Sequence, residues 1–287
     1  MILFQKLGST GRLGNQLFQY AALRGLSLKN GYESAIPDIS NKSWHGQKSL
    51  LGEFNINARV YNDELMVGKY VEPSWNKVDS NFFNIKDNTI IEGFFQSIHY
   101  FEEHEDIIKS ELRPKDSHIE SNKLFIKNLK NKYPDYEIVS VHLRRGDNLQ
   151  NLNSKHNEIY QSVYDSDGLY FEYFNKAKEV FKNKKVKYLI FTGGSRGGED
   201  NKTDMEWCKD TFKGDEFIFS EDQKQIDDFT RIMLCDHNII SHISSFGWWA
   251  AYLNNNPNKI VVAPKYYHPD EPALIRDKFY PKKYILL

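Results

Sequence analysis

The chain has 287 residues, and since domains average roughly 150 residues, this length favours two domains. It carries 38 Lys and Arg against 39 Asp and Glu, a formal net charge of −1. That balance argues against a broad electrostatic partner such as nucleic acid or an anionic membrane surface, so any anion site must be local.

The cellular location is predicted from three features of the sequence. The two cysteines, Cys208 and Cys235, are too few for a disulfide framework, which favours a reducing compartment. Residues 1–7 are too short and too polar for a secretory signal, and no apolar run approaches the ~20 residues that span a bilayer. We therefore expect a cytoplasmic protein without an integral membrane segment.

The first half of the chain opens with a strand, a glycine-rich turn and a helix. The strand is predicted at residues 2–7, the turn at residues 8–14 and the helix at residues 15–29. The apolar residues that recur at helical spacing are Leu17, Phe18, Ala21, Ala22 and Leu26. This segment does not fit a dinucleotide-binding fingerprint, because its glycines are spaced differently and no acidic ribose partner is evident.

The rest of the first half is less regular. Residues 40–88 give no element that can be placed, whereas residues 89–95 resemble a strand and residues 98–112 and 117–132 resemble helices. Pro134 interrupts the helical pattern, so we place the domain boundary between residues 134 and 135.

The second half alternates between strands and helices. Strands are predicted at residues 137–143, 186–192, 216–220, 238–241 and 259–263, with helices at residues 168–183, 203–212, 225–235 and 244–254. Repeated alternation of this kind predicts an α/β fold with a doubly wound parallel sheet.

A pair of arginines follows the first strand of this half, in the segment HLRRGD at residues 142–147. Ligands bind at the carboxyl ends of strands in open α/β sheets, and the planar guanidinium matches phosphate oxygens. Arg144 and Arg145 therefore indicate a phosphorylated ligand. The alternative is an ion pair between either arginine and Asp147 or a neighbouring carboxylate.

A second anion-binding element is predicted in the segment SSFGWWAA at residues 244–251. Ser244 follows a strand and precedes a helix, where a serine caps the helix and the helix amides attract an anion. The alternative is a capped helix that only buries Trp248 and Trp249. The glycine-rich stretch after the strand ending at Thr192 lacks the Gly-Lys-Ser/Thr ending of a phosphate-binding loop.

Three acidic or histidine patterns resemble metal sites without fitting one. Residues 165–167 read Asp-Ser-Asp but precede a helix, which favours a capping role. The histidine pairs at positions 99 and 104 and at positions 237 and 242 are each five residues apart, which does not place them on one face. We therefore expect no metal.

Four segments stand out in their order along the chain: GRLGNQLFQYA at residues 11–21, GFFQS at residues 93–97, VHLRRGD at residues 141–147 and SSFGWWA at residues 244–250. Taken together and in this order, they resemble the α-1,2-fucosyltransferases of glycosyltransferase family eleven. The resemblance spans most of the chain, so it implies a fold and an activity for the whole of it.

The resemblance implies a GT-B architecture, in which two Rossmann-like domains face a cleft. Residues 1–134 would form the acceptor-side domain and residues 135–287 the GDP-fucose-binding domain. The implied reaction transfers L-fucose from GDP-β-L-fucose, with inversion and without metal or cofactor, to a galactose-containing glycan acceptor. The product would carry α-linked fucose on O2 of a terminal β-galactose.

The resemblance also assigns residues to the site. Donor binding falls to His142, Arg144, Arg145, Ser244, Ser245 and Phe246. The fucose and acceptor side falls to Arg12, Asn15 and Gln16. Arg144 would bind the β-phosphate as a catalytic group, and Asp147 is our candidate for the general base, with orientation of Arg145 as its alternative role.

Two departures from the family pattern leave alternatives open. Thr192-Gly193-Gly194 stands where the family often has Ser-Asp-Asp, and Asn148 stands where an aromatic residue is usual. An acidic contact to the donor is therefore absent or supplied from elsewhere. The alternatives are a non-catalytic carbohydrate-binding protein on the same scaffold and a fucosyltransferase that forms another linkage.

Overall fold

The computed structural model describes residues 1–62, 65–74, 77–145, 169–193, 202–221, 224–242, 244–265 and 279–287. The chain divides into two compact units. The first contains Met1–Lys115 and residues 279–282, and the second begins at Asp116 and includes residues 283–287. Each unit is built on a parallel sheet, so the predicted α/β class is confirmed.

The first unit carries a five-stranded parallel sheet with the strand order β5-β2-β1-β7-β6. The strands of this unit are β1 (Ile2–Leu3), β2 (Ser34–Ile36), β3 (Ser43–Trp44), β4 (Gln47–Lys48), β5 (Arg59–Val60), β6 (Gly68–Val71) and β7 (Thr89–Glu92). Strands β3 and β4 pair with each other as an antiparallel hairpin. The predicted first strand and the predicted strand at residues 89–95 are both present but shorter at their carboxyl ends.

Helix α1 (Leu13–Asn30) is the core helix of the first unit. It is buried on all sides over most of its length, because it packs against the sheet and against the segment around residues 98–104. At Gly25 a Cβ would lie 2.3 Å from the carbonyl oxygen of Tyr100, so glycine permits this close packing. The helix ends at Gly31, whose φ of 69° closes it in the left-handed conformation.

The helix predicted at residues 98–112 is interrupted. Two 3₁₀ turns, Ile98–Tyr100 and Glu102–His104, precede helix α2 (Glu105–Glu111). Between the turns Phe101 has φ −147° and ψ 0°, which lie outside the α-helical range. Tyr100 and Phe101 are buried, so packing of these rings overrides a regular helix.

Helix α3 (Asp116–Lys132) belongs to the second unit, where it packs against α6 (Gln225–Leu234). The units therefore change at Lys115 and not at the boundary predicted at residue 134. The physical reason is that α3 buries Ile119, Asn122 and Ile126 in the second unit. A proline after a helix marks the end of that helix but does not show which unit the helix packs against.

The second unit carries a six-stranded parallel sheet with the order β10-β9-β8-β11-β12-β13. Its strands are β8 (Glu137–Arg144), β9 (Val186–Gly193), β10 (Phe217–Phe219), β11 (His237–Ile239), β12 (Val261–Ala263) and β13 (Ile285–Leu286). The helices described in this unit besides α3 are α4 (Leu169–Glu179), α5 (Lys202–Thr211), α6 (Gln225–Leu234) and α7 (Ser245–Tyr252).

The alternation predicted for this half is confirmed, and each predicted strand and helix is present with shifts of a few residues at the ends. Strands β8 and β9 pair in register over eight residues, from Glu137 opposite Val186 to Arg144 opposite Gly193. Among the described elements of this half, β13, which consists of two exposed residues, has no counterpart in the prediction. In the described part of the chain, no helix is both long and apolar enough to cross a membrane.

Candidate functional site

The carboxyl ends of β8 and β11 lie side by side in the sheet of the second unit. The two strands are direct neighbours, with Val141 opposite Ile239. Beyond this pairing, the backbone N–H of Arg144 donates to Ser241 Oγ at 3.1 Å. The arginine segment and the segment that leads to Ser244 are therefore held at the same edge of the sheet, as the sequence predicts.

Ser244 connects helix α7 to strand β8. Its Oγ accepts a hydrogen bond from the backbone N–H of Gly247 at 3.1 Å, so Ser244 caps the helix as predicted. The same Oγ lies 3.1 Å from His142 Nδ1. The His142 ring also packs against Phe246 with 5.3 Å between ring centroids. Residues separated by about a hundred positions thus form one contiguous group.

His142 is uncharged at neutral pH in this environment. Burial lowers the pKa of its imidazole to about 4, because the charged form is disfavoured away from water. Ser244 Oγ accepts a hydrogen bond from the N–H of Gly247, and its hydroxyl hydrogen can in turn be donated to His142 Nδ1. This arrangement fits the neutral tautomer that carries its hydrogen on Nε2, in which Nε2–H is a hydrogen-bond donor.

Arg144 reaches across to the neighbouring strand. Its Nη1 donates to the carbonyl oxygen of Gly193, the last residue of β9, at 3.4 Å. The side chain is partly exposed at the strand end. A guanidinium at a strand end suits an anionic ligand, because its five donors lie in one fixed plane.

Arg145 makes its contacts with helix α5. Its guanidinium carbon lies 3.5 Å from the centroid of the Trp207 ring, and its Nε donates to Asp204 Oδ1 at 3.3 Å. Both charged side chains are largely buried, with 16% and 14% of the side chain exposed. This is the ion pair to a neighbouring carboxylate that the sequence offered as the alternative to phosphate binding, and it indicates a positioning role for Arg145.

Asp204 is also relevant to the acidic residues that were expected at positions 192–194 and are absent from the sequence there. The sequence has Thr192-Gly193-Gly194 where an acidic run was expected, and in the structure a carboxylate from the first turn of α5 contacts Arg145. The signal in the sequence was Asp204 beside a predicted helix start, where acidic residues are favoured for capping. Capping and ion pairing cannot be distinguished from sequence alone.

Asp228 on α6 is a second residue that the sequence analysis missed. Its Oδ1 accepts from Ser220 Oγ at 2.8 Å, just past the end of β10. Burial raises the pKa of this carboxyl to about 7. The next residue, Phe229, packs against Phe246 with 5.3 Å between centroids, so α6 adjoins the start of α7. Ser245 is the first residue of α7 and is half-buried, like Phe246.

The residues predicted for the fucose and acceptor side lie together in the first unit, after β1. Arg12 is the N-cap residue of α1. Asn15 Oδ1 accepts from Gln96 Nε2 at 2.6 Å, which joins the start of α1 to the segment after β7. Gly11 has φ 76°, and a Cβ there would lie 2.6 Å from Asn15 Cβ, so the turn requires glycine.

Gln16 holds the glycine-rich turn from within. Its Nε2 donates to the carbonyl oxygens of Gly11 at 2.7 Å and Gly8 at 3.4 Å, and its Oε1 accepts from Ser49 Oγ at 2.8 Å. The side chain is buried. These contacts indicate that Gln16 shapes the loop that carries Arg12 and Asn15, whereas its predicted contact with a sugar stays a prediction.

Several predicted features lie outside the described residues. They include the candidate base Asp147, the neighbouring Asn148, the last glycine of the 192–194 run and the acidic pattern at residues 165–167. Among the residues that the structure describes, no three metal-ligating side chains form a group that could hold a metal ion.

Comparison with known proteins gives a family and several relatives. The sequence model described as Glycosyl transferase family 11 matches residues 4–286. An α-1,2-colitosyltransferase of Escherichia coli is 26% identical over 283 residues, which cover 88% of this chain and 89% of that protein. A galactoside α-(1,2)-fucosyltransferase 2 of Rattus norvegicus is 25% identical over 93% of this chain and 71% of its own length.

Another relative is matched over a smaller share of its own length, and the solved structures match at lower sequence identity. The galactoside α-(1,2)-fucosyltransferase 1 of Alouatta caraya is 27% identical over 85% of this chain but only 63% of its own length. Among solved structures, the fucosyltransferase NodZ from Bradyrhizobium has a TM-score of 0.49 at 16% identity, with 87% of this chain and 91% of that chain covered. POFUT1 in complex with GDP-fucose has a TM-score of 0.48 at 12% identity, with 100% and 97% covered.

Proposed function

The chain belongs to glycosyl transferase family 11, and we propose from that premise that it is an α-1,2-fucosyltransferase. The donor is GDP-β-L-fucose, the acceptor is a glycan with a terminal β-galactose, and transfer to O2 proceeds with inversion and without a metal ion. The observation that carries the proposal is the group formed by His142, Arg144 and Ser244 at one edge of the sheet. Relatives named for α-1,2-transfer support the linkage.

We assign GDP-fucose to the second unit and the acceptor to the first. The second unit supports this assignment because anions bind at helix N-termini that follow a strand, and α7 begins in that way after β11. Two parallel α/β units are also what a GT-B architecture requires. Cys208 and Cys235 are free and buried, which agrees with the cytoplasmic location that we propose.

Departure of GDP is the step for which the described residues supply the chemistry. As the bond from fucose C1 to the β-phosphate oxygen breaks, negative charge grows on that phosphate and positive charge grows on the sugar ring. In our proposal Arg144 donates to the β-phosphate, and the α7 amides with the Nε2–H of neutral His142 add further donors. Donors fixed in advance stabilise such charge without reorganisation.

The acceptor O2 hydroxyl must lose its proton as it attacks C1 from the face opposite GDP. We propose Asp147 as the general base, because it is a carboxylate two residues after Arg145 in the sequence and a carboxylate can accept that proton. Replacement of Asp147 by Asn removes the base while keeping the side-chain size. A loss of turnover below tenfold in this variant would exclude the role.

A second donor is favoured by one relative. The Escherichia coli protein is named as a colitosyltransferase, and colitose is L-fucose without its 3-hydroxyl group. GDP-colitose would place the same diphosphate at Arg144 and Ser244, so the described diphosphate contacts do not separate the two donors. We keep GDP-fucose as the first proposal and test both.

The test is a donor and acceptor screen on the purified chain. GDP release is followed with GDP-fucose or GDP-colitose, with and without a β-galactoside such as lactose, in the presence of a metal chelator. We expect GDP release that depends on the galactoside, and NMR of the product should show the sugar α-linked to O2. No transfer from either donor would favour the non-catalytic carbohydrate-binding alternative, and linkage to another oxygen would favour a fucosyltransferase of different regiochemistry.

A further inference from the structure

The segment that follows β7 in the first unit has a strained backbone. It reads Gly-Phe-Phe-Gln-Ser at residues 93–97. Gly93 has φ 158°, and a Cβ there would lie 2.5 Å from Glu72 Cβ. Phe95 has φ 49°, a left-handed conformation that bulky residues rarely adopt. Strain of this kind is retained where the surrounding structure fixes the conformation, and it is concentrated at functional sites.

Two sets of contacts fix this turn from one side. Glu72 Oε2 accepts hydrogen bonds from the backbone N–H groups of both Phe94 (2.7 Å) and Phe95 (3.0 Å). The Phe95 ring is fully buried. It packs among the rings of Phe4, Tyr70, Phe82 and Tyr100. These contacts fix the backbone conformation of Phe94, the residue between Gly93 and Phe95.

Helix α1 holds the turn from the other side. Gln19 Nε2 donates to the carbonyl oxygen of Gly93 at 3.1 Å, and Gln96 Nε2 donates to Asn15 Oδ1 at 2.6 Å. Ser97 Oγ accepts from the N–H of His99 and so caps the 3₁₀ turn that follows. The turn is therefore joined directly to the loop that carries Arg12 and Asn15.

Phe94 differs from the other members of this segment. Gly93, Phe95, Gln96 and Ser97 each have a role inside the fold, whereas Phe94 is 38% exposed. It follows the carboxyl end of β7, next to β1 in the sheet, and ligands of open α/β sheets bind at this edge. The strained turn thus exposes Phe94 in the same short segment as Gln96, whose amide donates to Asn15.

From this geometry we propose that Phe94 is the platform on which the acceptor sugar stacks. One face of a β-galactose ring carries the C–H groups at positions 3, 4 and 5, and an aromatic ring binds such a face through dispersion and weak C–H contacts. Asn15 is joined to this segment through Gln96, and a side-chain amide is a group that binds sugar hydroxyls. The inference rests on the proposed function, because it gives the first unit the acceptor.

The experiment replaces Phe94 by Ala, Leu and Tyr. Tyr136→Ala is the matched control, because Tyr136 is also 38% exposed but precedes the amino end of β8 in the second unit. For each protein, the KM for lactose and for GDP-fucose are measured at saturating co-substrate. NMR titration with methyl β-galactoside gives acceptor binding without turnover.

For Phe94→Ala we expect the KM and the Kd for the galactoside to rise about tenfold, the upper range of a single aromatic contact. The KM for GDP-fucose should stay within twofold of the wild type. Tyr should restore acceptor binding and Leu should not, because a platform needs a flat ring whereas simple packing needs only apolar volume. Tyr136→Ala should leave both KM values unchanged.

The proposal is overturned if Phe94→Ala binds the galactoside normally, if Leu restores binding as well as Tyr, or if the donor KM changes as much as the acceptor KM. Failure of the proposed function has a different signature. In that case the wild-type protein itself shows no transfer to a galactoside, whichever residue stands at position 94.

Discussion

Arg144 is the residue on which the proposed reaction depends most. Its position is fixed through the backbone, by the hydrogen bond from its N–H to Ser241 Oγ, and through the side chain, by the contact with the carbonyl of Gly193. These two contacts hold Arg144 at the end of β8, where the planar donors of a guanidinium suit a phosphate group.

We expect Arg144→Ala to lower turnover about 10²- to 10³-fold, because it removes a fixed donor to the leaving phosphate. Arg144→Lys should recover only part of the rate, since a lysine keeps the charge but not the planar set of donors. The rate constant kcat and the thermal unfolding midpoint are measured for each variant. Arg59→Ala, at the sheet edge of the first unit, is the control. Near-normal turnover of Arg144→Ala would remove this residue from the mechanism.

His142 and Asp228 have pKa shifts that act on stability in opposite directions. For His142 the folded-state pKa of about 4 lies below the ordinary value of 6.5, so its contribution is complete above pH 6.5 and is lost as the pH falls through 4. For Asp228 the folded-state pKa of about 7 lies above the ordinary 3.8, so its contribution is complete below pH 3.8 and is lost as the pH rises through 7.

In the wild type these two pH dependences of the unfolding free energy partly cancel. Replacing either residue should therefore expose the pH dependence that the other one contributes. Each shift corresponds to about 3 to 4 kcal/mol of unfolding free energy across its range. Relative to the wild type, Asp228→Asn should gain stability as the pH rises from 4 to 7, and His142→Gln should lose stability over the same range. Denaturant unfolding followed by tryptophan fluorescence at several pH values measures this. Parallel pH profiles for all three proteins would contradict the assignment.

At the scale of secondary-structure elements, α5 holds the arginine segment at the end of β8. Asp204 and Trp207 are one helical turn apart on α5, so both face Arg145. A guanidinium stacked on an indole and paired with a carboxylate is fixed in orientation as well as position. The contact fixes the residue next to Arg144, which is why we regard Arg145 as a positioning residue.

Asp204→Asn should lower the unfolding free energy by about 1 to 2 kcal/mol, since it removes the charge from a largely buried pair. It should reduce turnover less than Arg144→Ala, because the effect reaches the substrate only through Arg145. Asp210→Asn is the matched control on the same helix, where the exposed Asp210 pairs with Lys213. Equal effects of the two substitutions on stability and turnover would argue against a special role of Asp204.

The secondary-structure elements were predicted best in the second half of the chain. The strands and helices of the second half were predicted because buried parallel strands and amphipathic helices have distinct periodicities. The helix at residues 98–112 was wrong over its first part, because burial of the Tyr100 and Phe101 rings broke the regular geometry. Short strands such as β2 and β5 were not predicted, since two or three residues carry too little pattern.

For the whole molecule, we propose that each of the two parallel-sheet units binds one substrate, the second unit the donor and the first unit the acceptor. GDP should stabilise the second unit because it binds the folded state at the ends of β8 and β11 in our proposal. At a GDP concentration of 100 times Kd the gain is about 2.7 kcal/mol. Hydrogen exchange should slow at the carboxyl end of β8 and the start of α7, and the same protection should persist with a chelator. Protection confined to the first unit, or lost with the chelator, would contradict the proposal.

By itself the sequence determined the α/β class, the alternation of the second half, the helix that starts after the glycine-rich turn, and the family resemblance. These follow from local periodicity, capping residues and motif order, all of which are properties of neighbouring positions. The predicted proximity of Arg144 and Ser244 also followed from local information, because parallel strands bring their carboxyl ends to one edge.

Only the tertiary structure decided which side chains contact each other. Arg145 pairs with Asp204, Gln16 is directed inward to its own turn, α3 packs with the second unit, and Phe94 is exposed on a strained backbone. Each outcome depends on burial and on partners distant in the chain. An arginine, a glutamine or a phenylalanine has the same local pattern whether it binds a ligand or stabilises the fold, and only the three-dimensional environment selects one of these roles.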